Sequence, residues 1–302
     1  MKKYLHLILG SASIALLAAC ATISPTPNSK TSLWEISSPQ RTIYIASDTQ
    51  VLSATDYPLP AQFAAAFSDS GSLYVEQIPP TSKEHQEELL SSVRQFGSLP
   101  GDETLQDFLT PAQLATVQGA IKAEALPYSH VQRLQPWLVA LMLMSHPANR
   151  AKLGIEPKEQ LTSRFYLEAK ARNVPVTPFE SYAKVFQIGS SMPREAQINW
   201  LLHVSKPDDG RQDESNKIRE LVSAWRVGDT AAVAALSGSF NAIPRVRQAI
   251  VVDRNQTWVH VLEDKLSTKG EPVFVVVGDG HLMGQTNMLA LLRESGYRVR
   301  QL

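Results

Sequence analysis

The residues with the clearest chemical potential lie near the end of the chain, in Gly278-Asp279-Gly280-His281. They follow directly on Val273-Phe274-Val275-Val276-Val277, the most hydrophobic strand in the sequence. A glycine-rich turn straight after a buried strand is where open α/β sheets place their sites. Gly278 and Gly280 are expected to let the backbone turn sharply and come close to a ligand. His281 is then held at the mouth of the sheet, where an imidazole that titrates near neutral pH can act. Among the other histidines, His85, His130, His146, His203 and His260 show no ligand-like pairing. His260 is notable only for following Trp258 on a helix that also carries Arg254. No stretch has a phosphate-loop pattern and no serine sits in a nucleophile elbow.

The elements that must position this turn can be read from periodicity and punctuation. Arg41 to Ala46 is β-branched and aromatic, and Ser72 to Glu76 is a second short strand. A short helix is expected from Ala61 to Phe67. From Ser82 to about Gln248 the pattern is mainly helical, with one helix starting at Thr110-Pro111, where proline suits the first turn. Pro136 to Met144 is apolar on all sides and reads as the central buried helix, its methionines filling core gaps. Glu159 to Arg172 and the segment opened by Pro193 are further helices, Val176 to Phe179 is a short strand, and Pro207-Asp208-Asp209-Gly210 is a turn. After the turn at His281 come a helix from Met288 to Ser295, a capping Gly296, and a closing strand at Tyr297-Arg298-Val299. Strands at the two ends with helices between predict an α/β domain. Its central mixed sheet is built from N- and C-terminal strands, around a large helical middle section.

Composition excludes several function classes. Lys+Arg and Asp+Glu are both 29, so no basic field points to nucleic acid and no acidic field to cationic partners. Apolar content of 43% describes an ordinary globular protein. A single cysteine, Cys20, leaves no internal disulfide and no thiolate metal site.

That cysteine has a place of its own. Lys2 and Lys3 precede an apolar run from Leu5 to Leu17, which closes with Leu17-Ala18-Ala19-Cys20. The run is short of the roughly 20 residues that a spanning helix needs. A cysteine after a small-residue cut site is what lipoprotein processing requires. The expectation is a signal peptide over 1–19 and acyl chains on Cys20 as the membrane anchor, since two or more chains hold stably where one does not. A Ser/Thr/Pro-rich tether over 20–31 follows, and the folded domain covers 32–302. Ala21 lacks the acidic side chain associated with inner-membrane retention, so the outer membrane, facing the periplasm, is the expected location.

Several stretches together carry a family resemblance. Leu33-Trp34-Glu35-Ile36, Thr42-Ile43-Tyr44-Ile45, Asp56-Tyr57-Pro58-Leu59-Pro60 and Tyr74-Val75-Glu76 come in order at the start. Pro136-Trp137, Trp225-Arg226-Val227-Gly228-Asp229, Arg254-Asn255 with Trp258, and Val277 to Gly284 complete the set. Over Leu33 to Leu302 the chain resembles the TraB/GumN family, related to Tiki-type metalloproteases. The resemblance implies two Gly-x-x-His motifs, a glutamate and an arginine at the site, and a divalent metal (manganese, cobalt or zinc) held by imidazole and carboxylate. The second motif is present as Gly278 to His281. Glu76 and Arg254 match the other two positions, with Glu76 and His281 as implied ligands. Gly278, Gly280 and Asn255 would line the substrate.

The first motif is lost. Ser47 stands where its glycine would be and Gln50 where its histidine would be, and an amide oxygen is a far weaker ligand than imidazole. Asp48, two residues before Gln50, would face the same side on an extended chain and offer a substitute oxygen. The sequence therefore predicts an envelope lipoprotein with a decayed metallohydrolase-like site that binds or assists an envelope protein or peptide. The alternative is an active metal-dependent hydrolase using Glu76, Arg254 and His281.

Overall fold

The structure, a computed structural model, describes residues 30–145, 154–206, 214–236 and 242–302. The expected signal peptide, Cys20, nearly all of the tether and the turn at Pro207–Gly210 lie outside the described residues. Six strands form one sheet: β1 (Leu33–Ser37), β2 (Thr42–Asp48), β3 (Ser72–Val75), β4 (Val176–Pro178), β5 (Val273–Gly278) and β6 (Arg298–Gln301). Their order is β4-β3-β5-β2-β1-β6. β2 and β5 run parallel, from Ile43 opposite Val273 to Asp48 opposite Gly278. The ends of the chain do share a sheet.

Hydrophobic patterning explains which strands sit where. Val273 to Val277 are all buried, as a strand covered on both faces requires, and β5 takes the centre. β3, β4, β5 and β2 pair in parallel, while β1 pairs antiparallel with both β2 and β6, which makes the sheet mixed. The outer strand β6 points Arg298 and Arg300 outward, and Arg300 pairs with Glu35 at 2.7 Å. Charge on an edge strand discourages further pairing. Gly296, at φ +88°, supplies the left-handed step that ends the helix Met288–Glu294 and feeds β6.

Two hydrophobic cores result. The larger encloses the sheet, with Phe67, Phe165 and Phe274 in mutual ring contact at 4.7–5.4 Å. The second belongs to the helical section and centres on Trp137, Trp200 and Phe186. The helix Pro136–Ser145 lies in this second core, packed against Arg194–Ser205, and is not central to the molecule. Pro136 to Ala140 are buried, but Leu141 to Met144 are only half-buried, so Met142 and Met144 sit at the rim of the core. An all-apolar helix can border a cleft as well as fill a centre.

Candidate active site

Parallel strands end on the same edge of a sheet, so β2, β3 and β5 deliver Asp48, Glu76 and Gly278 to one place. A cleft opens there between the two cores. It consists of two adjoining cavities of about 270 and 300 Å³ that share Asp48, Gln50, Glu76 and Gln77. Arg254 and His281 line the larger one, together with Trp137 and Leu141 from the helical section. Glu76, Arg254, His281 and Gln50 thus face one cleft.

Arg254 organises the centre. It projects from the helix Asp253–Ser267 and is almost fully buried. Its Nη2 donates to Glu76 Oε2 at 3.1 Å, its Nε to Glu180 Oε2 at 2.9 Å, and its Nη1 to the carbonyl of Ile250 at 2.9 Å. Ile250 belongs to the π-helical turn Gln248–Val252, which leads directly into that helix. Glu76 also accepts from the Gly278 N–H at 2.7 Å, which ties β3 to β5 at the site. Burial would raise the Glu76 carboxyl, but His281, Arg254 and that N–H bring it below the usual carboxylate range.

Both ring nitrogens of His281 have partners. Asn255 Nδ2 donates to the carbonyls of His281 and Thr286, which fixes the amide so that its Oδ1 accepts from His281 Nδ1 at 2.6 Å. Nε2 therefore carries the lone pair. It lies 3.4 Å from Arg254 Nη1 and 3.7 Å from Glu76 Oε2. Burial, reinforced by Arg254 and opposed by Glu76, pushes the imidazole down to about 4, so it is neutral at neutral pH. The Trp258 ring packs 4.4 Å from the imidazole, and the Trp258 N–H donates to Glu180 at 3.0 Å.

The structure corrects several expectations. Neither Gly278 nor Gly280 has a positive φ; the chain passes from β5 into the short helix Asp279–Leu282. Gly278 matters for space, because a Cβ there would meet Glu76 Oε1 at 3.2 Å, whereas Gly280 has ordinary room. Asn255 is fully buried with its amide spent on His281 and Thr286, so it positions the imidazole and cannot touch a substrate. The extended-chain argument for Asp48 and Gln50 fails, because β2 stops at Asp48 and Gln50 turns left-handed at φ +56°. Asp48 lines the cleft but already accepts three hydrogen bonds. Its Oδ2 accepts from the Thr162 hydroxyl at 2.7 Å and the Thr162 N–H at 3.0 Å, and its Oδ1 from the Gln50 N–H at 3.1 Å. His260 is exposed and pairs with Glu263.

Ser47 and Asp279 form a buried pair beneath the cleft. The Ser47 hydroxyl donates to the Asp279 carboxylate, whose value burial pushes up to about 6. Trp225 Nε1 donates to the Ser47 carbonyl at 2.7 Å, which locks the end of β2. Glu180 and Thr162 escaped the sequence reading altogether. Each meets its partner across more than 70 residues, with no local pattern to announce it.

The donor set does not fit a resident zinc, cobalt or manganese ion. A catalytic zinc site offers three protein ligands and one open position. Here one imidazole nitrogen and one glutamate remain, and a guanidinium stands within 3.4 Å of that nitrogen. Both Glu76 oxygens are already hydrogen-bonded, and Gln50 supplies only an amide. No curated protein and no solved structure gives a significant match to the chain. The model of the TraB/PrgY/gumN family, in contrast, matches residues 32–301, which takes in all six strands and every residue of the cleft. The chain belongs to the TraB/PrgY/gumN family.

Proposed function

We propose that the protein is a lipid-anchored envelope protein whose cleft is a decayed metallohydrolase site now used for binding. The observation that carries this reading is Gln50 at the cleft mouth, beside a Glu76–Arg254–Glu180 network in which both carboxylates are bonded to the guanidinium. Such a network needs no metal to be stable. The anchor is Cys20, at the start of the tether over 20–31, and the location is the outer membrane facing the periplasm. The partner is an envelope protein or peptide that presents a segment to the cleft.

A second reading, an active hydrolase, is favoured by one observation. Glu76, Arg254 and His281 remain together, with a neutral imidazole lone pair beside a guanidinium able to stabilise developing negative charge. Peptide hydrolysis with added manganese, cobalt or zinc separates the two. The binding reading predicts no turnover above that of Glu76→Gln protein. Metal-dependent turnover lost in that variant would establish the enzyme.

A further inference from the structure

The charged groups of the cleft are all engaged with protein partners, so its unpartnered side chains are neutral. Arg254 is shared by two carboxylates, a carbonyl and His281 Nε2, and Asp48 accepts three bonds from Thr162 and the Gln50 N–H. What remains are the Trp137 indole, the Gln50 and Gln77 amides, the Thr49 hydroxyl and one amide oxygen of Gln160. Trp137 is 1% exposed and lines the larger cavity, yet its Nε1 has no partner among the described residues. Gln77 Nε2 is likewise buried and unpartnered, and Gln77 lines both cavities. A buried donor left unpaired costs on the order of 1–3 kcal/mol, so a ligand that satisfies it gains correspondingly.

Gln50 completes the set. It is exposed at the cleft mouth and lines both cavities. Its left-handed backbone is unusual for a residue other than glycine, and the N–H to Asp48 Oδ1 bond at 3.1 Å holds it there. Strain of this kind concentrates at ligand sites. Two buried donors call for a carbonyl oxygen, and a glutamine amide at the mouth can accept from an N–H. Leu141, Val185 and Val251 provide an apolar wall for a small alkyl group beside them.

We propose that Gln50, Gln77 and Trp137 form a recognition site for a secondary amide, with its carbonyl on Gln77 and Trp137 and its N–H on Gln50. This rests on the reading that no metal occupies the cleft. Two sources carry that chemistry, a peptide bond and an acetamido sugar, and N-acetylalanine methylamide and N-acetylglucosamine stand for them.

The test is a titration of the purified full chain, following the Trp137 indole and the Gln50 and Gln77 amide signals by ¹⁵N NMR. At least one probe should shift all three signals saturably, and whichever binds names the source. Glucose and N,N-dimethylacetamide, which lack the amide or its N–H, should bind at least threefold more weakly. Gln77→Met should weaken the better probe about threefold to tenfold, the range for one lost hydrogen bond. If that variant does not fold, the wild-type ranking of probe against controls decides. No saturable shift with either probe, or equal binding of the controls, would overturn the amide site. Adding zinc to the same sample separates the two readings. Tight stoichiometric uptake would defeat the metal-free cleft, whereas failure of the amides without such uptake defeats the amide site alone.

Discussion

Replacing Arg254 with methionine should destabilise the protein severely, because two buried carboxylates depend on its charge. The guanidinium and the Glu180 side chain are each 6% exposed, and Glu76 is 19% exposed. After the substitution Glu76 keeps the Gly278 N–H and Glu180 keeps the Trp258 N–H, but neither faces a cation. Breaking a buried pair by removing one partner costs roughly 3–5 kcal/mol, a large share of the 5–15 kcal/mol that holds a typical domain together. With a urea slope of about 3 kcal/mol per molar, the midpoint should fall by about 1–2 M. Urea unfolding followed by tryptophan fluorescence measures this. The double variant Arg254→Met/Glu180→Gln should recover at least about 1 kcal/mol relative to additivity, because glutamine removes one uncompensated charge and can still accept from Trp258. A loss below about 1 kcal/mol for Arg254→Met, or strict additivity in the double variant, would refute the claim that Arg254 holds the two carboxylates of the site in place.

Three further outcomes are expected. Asp279 is raised to about 6, so its stabilisation is fully present below about 3.8 and disappears as pH rises through 6. His281, lowered to about 4, contributes stability above 6.5 that is lost as pH falls through 4, so between these values the two effects oppose. Asp279→Asn should therefore gain about 2 kcal/mol relative to wild type between pH 4.5 and 7, read as a difference in unfolding free energy; a difference that is flat or of opposite sign would count against the buried acid. Asn255→Ala strands the His281 Nδ1–H and two carbonyls, at roughly 1–3 kcal/mol for each group that stays unpaired. Its thermal midpoint should drop and the ¹⁵N signals of His281 should lose their single-tautomer pattern, while unchanged signals would mean that Asn255 does not set the tautomer. Cys20→Ser should move the protein from the membrane fraction to the soluble one, and a variant that stays membrane-bound with normal mass would rule out the lipid anchor.

The sequence made the sheet legible but not the network. Continuous burial of β5 follows from Val-Phe-Val-Val-Val, and the step from that strand to His281 is visible in the glycines around Asp279. Terminal pairing was legible because the two most strand-like segments lie at opposite ends of the chain. The split into two cores was not, since helices of either core show similar apolar patterns, and Pro136 to Met144 looked central when it borders a cleft. Alternation along β2 misled at Gln50, where a left-handed residue ends the period of two that placed it beside Asp48. Glu180 lay hidden between Phe179 and Ser181, because what makes it a site residue is Arg254, 74 positions away.

Metal affinity tests the central claim most directly. The claim is that loss of the first Gly-x-x-His motif left a cleft without a resident metal, so calorimetric titration with zinc at fixed pH should show weak binding by the wild type. Ser47→Gly/Gln50→His restores the pattern. It gives a strong nitrogen donor beside Glu76 and His281, at the expense of the Ser47–Asp279 hydrogen bond. Changes around ligands alone alter affinity by about 10- to 100-fold, so a restored ligand should tighten binding at least tenfold. Adding His281→Ala should abolish that gain. Tight stoichiometric zinc binding by the wild type would contradict the account.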